Sequence, residues 1–304
     1  MNGIININKP IGITSYQVVH RVKKVSGQKK AGHIGTLDPL ASGVLPVFLG
    51  KMTKLIPLFN KGNKTYEVAV QLGAFSTTQD SEGELTEVPL TADCNEEKIH
   101  KIVKGFQGEI EQIPPMYSAV RVKGQKLYKL ARQGLEVERP PRKITIYSIN
   151  NISVQLPQIT FSVHCSKGTY MRVLAEDIGK SLGTGAYVVR LNRIHCEDYF
   201  TLDNAVLLDQ IERLNKAELE ALLVDPLTLL PDWHVVNDVA GDIKKDIGYG
   251  RPARVSIDSI NFSGKRQDAA DSLAIDQNKR LIAIGSLEFS QDSQCIFKPS
   301  KVLI

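Results

Sequence analysis

One acidic residue lies alone in the basic N-terminal part of the chain. Residues 1–64 contain ten Lys and Arg side chains but a single carboxylate, Asp38, in the segment Gly35-Thr36-Leu37-Asp38-Pro39-Leu40-Ala41-Ser42-Gly43. The resulting net charge of +9 suits a polyanionic partner such as nucleic acid. A carboxylate among so many cations is expected to stay ionised. The sequence therefore points to an enzyme that binds nucleic acid and does its chemistry with one aspartate.

Asp38 also has a purely structural interpretation. Asp followed by Pro39 is a common helix start, with the carboxylate as the N-cap and the proline at the first helical position. Against it, Gly35 and Gly43 flank the aspartate and allow unusual backbone angles and close approach of a ligand. His33, five residues upstream, is either a surface histidine or a platform on which a base stacks.

Arg172 is the second residue that the pattern singles out. A predicted strand ends at Lys167-Gly168-Thr169, and the helix that follows runs to Gly183 and carries Arg172 in its first turn. A cation at that end opposes the helix dipole, which indicates a partner elsewhere. Because a guanidinium orients a carboxylate and favours its ionised form, Arg172 is expected to pair with Asp38.

Hydrophobic periodicity predicts the elements that position these residues. Residues 3–8 have strand composition, and Thr14-Ser15-Tyr16-Gln17 is a capping box that begins a helix closed by Gly27. Residues 65–72 alternate as a half-buried strand, whereas residues 98–107 carry apolar side chains at helical spacing. This irregular alternation favours a mixed α+β catalytic domain over a doubly wound one.

The C-terminal part of the chain differs in character from the rest. Asp203-Asn204 is predicted to begin an amphipathic helix that runs to about Leu214. After about residue 235 the pattern changes to short strands. With 304 residues and 42% hydrophobic content, two domains are expected: a catalytic domain at 1–235 and a small β-rich domain at 236–304.

Composition excludes several classes of protein. The four cysteines form no C-x-x-C pair, which argues against zinc and disulfide frameworks and fits a reducing cytoplasm. No apolar run approaches the ~20 residues that span a bilayer, so a soluble cytoplasmic protein is expected. The sequence has no P-loop, no G-x-G-x-x-G after a strand and no H-E-x-x-H motif, so no cofactor or metal is expected.

A basic excursion is predicted at 114–142, between two proline pairs. Pro114-Pro115 opens it, Pro140-Pro141 closes it, and its basic side chains are Arg121, Lys123, Lys126, Lys129, Arg132, Arg139 and Arg142. Such a segment either folds over a ligand or forms a solvated surface helix.

Several motifs, in this order along the chain, resemble the TruB-type pseudouridine synthases, which are the tRNA pseudouridine-55 synthases. They span most of residues 1–200. The motifs are Asn8-Lys9-Pro10-x-Gly12-x-Thr14-Ser15, Gly32-His33-x-Gly35-Thr36-Leu37-Asp38-Pro39-Leu40-Ala41-Ser42-Gly43-Val44-Leu45-Pro46, Lys64-Thr65-Tyr66, Pro114-Pro115-x-Tyr117-Ser118-Ala119 and Cys165-Ser166-Lys167-Gly168-Thr169-Tyr170-x-Arg172.

The resemblance implies a role for each of these residues. Asp38 would be the nucleophile, so that the N-glycosidic bond of a uridine breaks and the base rejoins the ribose through C5. Tyr66 would stack on the uracil and help remove the C5 proton, while Arg172 would pair with Asp38. Tyr170 would line the pocket, and His33 would stack in place of bases displaced from the T-loop. The further substrate contacts implied are Asp80, Lys9, Lys64 and Leu191.

The resemblance also implies a fold and a partner. The fold would be that of pseudouridine synthases, with a mixed, mainly antiparallel sheet flanked by helices and loops and a small PUA-like domain after it. The partner would be the T-stem-loop of tRNA, gripped by residues 114–142, with no cofactor and no protein partner, and a monomer is expected. Two departures are Asn192, where the family more often has a basic residue, and Arg121, where lysine is common.

The alternative function is an RNA-binding or tRNA-folding protein with a vestigial catalytic pocket. Such a protein would keep the basic surface and tolerate loss of Asp38 or Arg172, yet both are present together with Tyr66. Related synthases of small-RNA-guided complexes carry long basic tails that this chain lacks. A glycosidase is disfavoured because no second carboxylate accompanies Asp38 in its motif.

Overall fold

The computed structural model describes the whole chain except residues 93, 123, 239–241, 264–269 and 290–293. Lys123 of the predicted basic excursion therefore lies outside the described residues. No described helix is long and apolar enough to cross a membrane.

Two large sheets, two small two-stranded sheets and short helices make up the described part of the chain. The strands are β1 (Gly3–Lys9), β2 (Ala31–His33), β3 (Ala41–Leu49), β4 (Lys64–Leu72), β5 (Ala74–Ser76), β6 (Leu85–Glu87), β7 (Gly108–Gln112), β8 (Arg121–Val122), β9 (Gln125–Lys126), β10 (Arg142–Gln155), β11 (Gln158–Cys165), β12 (Ala186–Cys196), β13 (Phe200–Thr201), β14 (Val206–Leu207), β15 (His234–Asp238), β16 (Ala253–Ser256), β17 (Ile260–Asn261), β18 (Ala270–Asp276), β19 (Leu281–Phe289) and β20 (Gln294–Val302). The α-helices are α1 (Ser15–Ser26), α2 (Ile56–Phe59), α3 (Glu96–Gly105), α4 (Leu127–Ala131), α5 (Met171–Leu182), α6 (Leu208–Ile211), α7 (Lys216–Ala221) and α8 (Asp242–Gly248).

A ten-stranded mixed sheet forms the larger part of the molecule. Its order is β14-β1-β3-β12-β4-β11-β10-β7, with β13 paired to β12 and β2 paired to β3. The pairs β1–β14 and β3–β12 are parallel, whereas β4 pairs antiparallel with both of its neighbours, β11 and β12. The mixed, mainly antiparallel sheet confirms the predicted α+β class.

Helices α1, α3 and α5 share one hydrophobic core with this sheet. The helix α1 begins at Thr14, whose side chain and Gln17 form the predicted capping box, and it ends at Gly27 in a left-handed conformation. The fully or nearly buried helix residues that join the core are Val18, Val22, Ile99, Val103, Leu174 and Ile178. Their helical spacing is what the sequence predicted.

A second sheet of six strands lies at the C-terminal end. Its order is β16-β20-β19-β18-β15-β17, in agreement with the predicted β-rich C-terminal part. Buried residues of both sheets meet in one hydrophobic cluster, which joins Val44 and Phe48 of β3 to Leu273 of β18, with Trp233 packed against it. The second sheet is therefore packed onto the first through apolar surface.

Two details differ from the sequence-based expectations. The helix predicted from Asp203-Asn204 to about Leu214 is wrong, because Val206 and Leu207 instead pair with β1 as a short parallel strand and α6 covers only Leu208–Ile211. The Asn204 carboxamide closes the turn before this strand by accepting from the Thr201 N–H at 3.1 Å. The second sheet begins at His234, two residues before the boundary expected from the sequence; the division into domains stays a prediction.

Candidate active site

Asp38 lies in the loop between β2 and β3. Strand β3, and not a helix, follows it, and the Ala41 N–H donates to the Asp38 carbonyl at 3.1 Å. The interpretation of Asp38 as a helix N-cap is therefore wrong. Ser15 of α1 fixes the loop, because its hydroxyl accepts from the Leu37 N–H at 2.8 Å and donates to the Leu37 carbonyl at 3.0 Å.

Arg172 forms a salt bridge with Asp38, as the sequence predicted. It is the second residue of α5, and its Nε lies 2.9 Å from Asp38 Oδ2. The other guanidinium nitrogens donate to backbone: Nη1 to the Thr78 carbonyl at 3.0 Å and Nη2 to the Tyr117 carbonyl at 2.8 Å. The Arg172 side chain is 4% exposed but that of Asp38 is 34% exposed. The carboxylate thus faces a cavity while its partner is held behind it.

Burial and the Arg172 guanidinium shift the pKa of the Asp38 carboxyl in opposite directions. Burial raises the pKa of Asp38, the Arg172 guanidinium lowers it, nearby Asp80 raises it, and Lys9 lowers it, with a net upward shift. Desolvation disfavours the charged form of an acid, which explains the direction. The expectation that Asp38 is ionised stays a prediction.

Asp38 and Arg172 line a cavity of about 300 Å³ together with Tyr66, Tyr170 and Leu191. Tyr66 is 8% exposed and Leu191 is 5% exposed. Burial raises the pKa of Tyr66 to about 12 and also raises the pKa of Tyr170. The structure therefore brings together all five of these sequence-predicted site residues around one cavity.

A larger cavity of about 720 Å³ opens beside the first. Asp38 and Arg172 line it as well, together with His33, Tyr16 and residues of the 114–142 segment. From that segment come Lys126, Tyr128 and Arg132; the Lys126 and Arg132 cations each lie 5.7 Å from the centre of the Tyr128 ring. Burial lowers the pKa of His33 to about 4, so its ring is neutral at pH 7.

Comparison with known proteins places this site in a family. The family model for the N-terminal domain of TruB family pseudouridylate synthases matches residues 23–171. The chain is 49% identical over 218 residues to the tRNA pseudouridine synthase B of Clostridium acetobutylicum, an alignment that covers 72% of this chain and 75% of the relative. The chain belongs to the TruB family.

Other comparisons extend the family match along the chain. The tRNA pseudouridine synthase B of Nitrosococcus oceani is 42% identical over 258 residues, which cover 84% of this chain and 83% of the relative. A solved H/ACA RNP bound to a substrate RNA containing 2′-deoxyuridine matches with a TM-score of 0.68 at 23% identity, over 99% of this chain and 85% of that chain. This likeness shows a shared fold.

Two lysines that the TruB resemblance suggested as substrate contacts are buried and have protein partners. Lys9 Nζ donates to the carbonyls of Pro10 and Ile13 at 2.8 Å and 2.6 Å, and burial lowers its pKa to about 8. Lys64 Nζ lies 2.8 Å from a carboxylate oxygen of Glu197, and both side chains are under a tenth exposed. The Lys9 ammonium therefore ties neighbouring loops together, whereas Lys64 also lines the cavity of about 300 Å³.

Asp80 lies beside Arg172 and also lines the larger cavity. The residue is 4% exposed, and its Oδ2 lies 3.7 Å from Arg172 Nε. The Thr78 hydroxyl and the Glu82 N–H donate to its other carboxylate oxygen. The contact with nucleotides that the resemblance implied stays a prediction.

Arg193 is a site residue that the sequence reasoning missed. It is fully buried, lines the smaller cavity, and its Nε and Nη2 each donate at 2.8 Å to the carbonyls of Val44 and Gly35. Gly35 has a φ of +65°, and a Cβ there would lie 2.7 Å from Arg193 Nη1, so a side chain at this position would strain the backbone and displace the Arg193 guanidinium. The signal was alternation along β12, which puts Arg193 on the same face as Leu191.

Tyr16 was also missed as a site residue. Its ring is 74% exposed at the N-terminal turn of α1, where it lines the larger cavity. In the sequence it was only a member of the capping box. The described residues contain no set of three or more His, Cys, Asp or Glu side chains placed to hold a metal ion.

Proposed function

We propose that this protein converts a uridine of tRNA to pseudouridine and that the target is uridine 55 of the T-loop. The Asp38–Arg172 pair carries the proposal, because it presents a part-exposed carboxylate inside a cavity of about 300 Å³. That volume is at the small end of ligand pockets. The relatives named above are tRNA pseudouridine synthases, and the T-loop position rests on the motif resemblance.

Asp38 acts as the nucleophile in this proposal. Asp38 forms a bond to the nucleoside, the bond between N1 of uracil and C1′ of the ribose breaks, and the base turns. C5 then forms the new bond to C1′, and the bond to Asp38 breaks, which restores the carboxylate. The C5 proton leaves and N1 gains a proton. The product is therefore an isomer of the substrate, and the reaction consumes no co-reactant. Arg172, at 2.9 Å from the carboxylate, orients Asp38 and favours its ionised form.

Tyr66 provides the ring against which the uracil stacks. Burial raises the pKa of Tyr66 to about 12, so its hydroxyl is neutral at pH 7. This favours stacking over the proton removal that the resemblance also implied. Tyr170 and Leu191 close the remaining sides of the cavity and confine the base while it turns.

Arg193 holds the loop that carries Asp38. The guanidinium is fully buried and donates to the carbonyls of Gly35 and Val44, which lie on either side of Asp38 in the sequence. Lys9 and Lys64 are assigned to holding the surrounding loops, and Asp80 to holding Arg172.

The RNA reaches Asp38 through the larger cavity. A base must leave the RNA stack to enter, at a cost of a few kcal/mol, and each base–aromatic contact returns about 1–3 kcal/mol. His33, Tyr16 and Tyr128 offer such rings, while Lys126 and Arg132 lie beside them for phosphate contacts. The 114–142 segment therefore grips the RNA.

The remaining parts of the proposal concern the whole chain. Residues 1–235 form the catalytic domain, and residues 236–304 form an auxiliary PUA-like domain. The enzyme acts as a monomer.

The test uses an unmodified tRNA transcript and maps pseudouridine by carbodiimide modification and primer extension. The wild-type enzyme is expected to give one new stop, at position 55. Asp38→Asn should give none, while its Kd for tRNA stays within about threefold because phosphate contacts supply most of the affinity. Asp232→Asn changes an exposed aspartate outside the site and serves as the matched control, with normal modification expected.

Three outcomes would contradict the proposal. Modification at another uridine would overturn the T-loop target, and modification by Asp38→Asn would remove Asp38 from the chemistry. Tight tRNA binding without modification by the wild-type protein would instead support a binding-only function.

A further inference from the structure

Gln112 lies where the RNA-gripping segment leaves the large sheet. It is the last residue of β7, and its Cα partner across the sheet is Arg142, the first residue of β10. The 113–141 segment therefore leaves and re-enters the sheet at one residue pair. Gln112 is only 2% exposed, so its polar carboxamide needs partners inside the protein.

The carboxamide of Gln112 binds both backbone groups of Tyr170. Its Oε1 accepts from the Tyr170 N–H at 2.9 Å, and its Nε2 donates to the Tyr170 carbonyl at 3.3 Å. Tyr170 is the N-cap residue of α5, and its own side chain makes no capping hydrogen bond. Gln112 thus takes over a capping position two residues before Arg172.

The same stretch of chain also reaches the far end of the Arg172 side chain. The Tyr117 carbonyl, five residues after Gln112, accepts from Arg172 Nη2 at 2.8 Å. Residues 112–117 therefore hold both the backbone from which Arg172 projects and the guanidinium that contacts Asp38. A shift of this stretch would displace Arg172 relative to Asp38.

We infer that Gln112 is a positioning residue that couples the RNA-gripping segment to the Arg172–Asp38 pair. Gln112 and the Tyr117 carbonyl hold Arg172 at its contact distance from the carboxylate while the segment binds RNA. The inference rests on the proposed function, since the coupled step is pseudouridine formation.

The test compares Gln112→Met, which keeps the length of the side chain and removes both hydrogen bonds, with Gln112→Glu, which keeps the acceptor and loses the donor. For Gln112→Met, kcat is expected to fall at least about tenfold, because a misplacement near 1 Å has effects of that order or larger. KM should change less than about twofold, because Gln112 does not line the RNA cavity. The kcat of Gln112→Glu should lie between the kcat of Gln112→Met and that of the wild type.

The pH profile separates positioning from mere structural support. Asp38 is faced by Arg172 of α5, Asp80 after β5 and Lys9 of β1. Displacing Arg172 removes a cation that lowers the pKa of Asp38, so the acid limb of kcat should move to higher pH in Gln112→Met. Gln71→Met is the matched control, because Gln71 lies in β4 and pairs with Gln158 and Tyr187 of the same sheet; it should leave kcat and the limb unchanged.

Several results would overturn the inference. One is a Gln112→Met variant whose kcat, acid limb and melting temperature all equal those of the wild type. Another is a loss of kcat in Gln112→Met that a smaller folded fraction accounts for completely. If Gln112→Met fails to fold, a wild-type kcat and acid limb in Gln112→Glu also overturn it. Absence of pseudouridine with the wild-type enzyme would overturn the proposed function itself, which distinguishes the two failures.

Discussion

Around Asp38, charged neighbours and burial have opposite effects on the ionisation of the carboxyl group. The carboxylate is one-third exposed to the cavity, and burial raises its pKa although Arg172 touches it. A raised pKa weakens the preference for the charged form and leaves a carboxylate that is less stabilised and more reactive toward an electrophile. Arg172 is itself held by two backbone carbonyls, so it orients the nucleophile without moving.

Removal of the guanidinium should affect the rate more than the affinity. In Arg172→Ala the kcat for pseudouridine formation is expected to fall about a hundredfold, because the carboxylate loses its orientation, whereas the Kd for tRNA changes only a few-fold. Measurement of kcat and Kd on unmodified tRNA checks this. Normal turnover would remove Arg172 from the site.

The same variant has a defined pH dependence. The reaction needs ionised Asp38, so kcat of the wild type falls as the pH drops through the raised pKa of this residue. Arg172 lowers that pKa, so its loss should move the acid limb of kcat to higher pH. A limb that stays in place or moves to lower pH would contradict the assignment of Asp38 as the titrating group.

Residue types alone predicted the central pair but not its surroundings. Asp38 is the one acid in a basic stretch, and Arg172 is a cation at the unfavourable end of a helix, so local sequence was enough to single out both. Arg193 hydrogen-bonds Gly35 across 158 positions, and Asp80 is buried beside Arg172. Such partners depend on the tertiary fold, which periodicity does not encode.

Two elements form opposite walls of the larger cavity beside Asp38. Helix α1 ties its N-terminal turn to the catalytic loop through Ser15 and Leu37, and it leaves Tyr16 exposed at the cavity mouth. The opposite wall comes from the 114–142 segment. Proline pairs in the sequence marked the ends of this segment, but its internal hairpin β8–β9 and helix α4 carry too few residues for any periodic signal.

Tyr16 is expected to stack on a base of the bound RNA. Tyr16→Ala should raise the Kd for tRNA about tenfold, in line with the 1–3 kcal/mol typical of one base–aromatic contact, and Tyr16→Phe should restore it because stacking needs only the ring. Tyr249, which is 71% exposed in the C-terminal part, gives the matched control Tyr249→Ala. Equal Kd values for Tyr16→Ala and Tyr249→Ala would refute the stacking role.

At the scale of the whole molecule, the two sheets are joined by apolar packing. Leu273 of β18 is fully buried in the cluster that also contains Val44 and Phe48 of β3. The β-rich character of the C-terminal part was predictable from its short apolar runs. Its docking was not, because the contacting residues of β3 and β18 are more than 200 positions apart in the sequence.

Leu273→Ala should destabilise the junction by about 2–5 kcal/mol, the usual cost of emptying a buried leucine site. Trp233 is the single tryptophan and packs against this cluster, so its fluorescence reports on the junction. Urea unfolding followed by Trp233 fluorescence and by circular dichroism should give coincident midpoints, lowered together in the variant. An unchanged midpoint would show that the sheets are stabilised independently of this contact.

The central claim is that Asp38 catalyses exchange of the uracil bond from N1 to C5. Tritium release from unmodified tRNA labelled at C5 of uridine tests it directly, because the C5 hydrogen leaves only when the new bond forms. The wild-type enzyme should release about one label per tRNA, and Asp38→Asn, or a transcript with cytidine at position 55, should release none. Tight tRNA binding by the wild-type enzyme without tritium release, or release that persists in Asp38→Asn, would contradict the account.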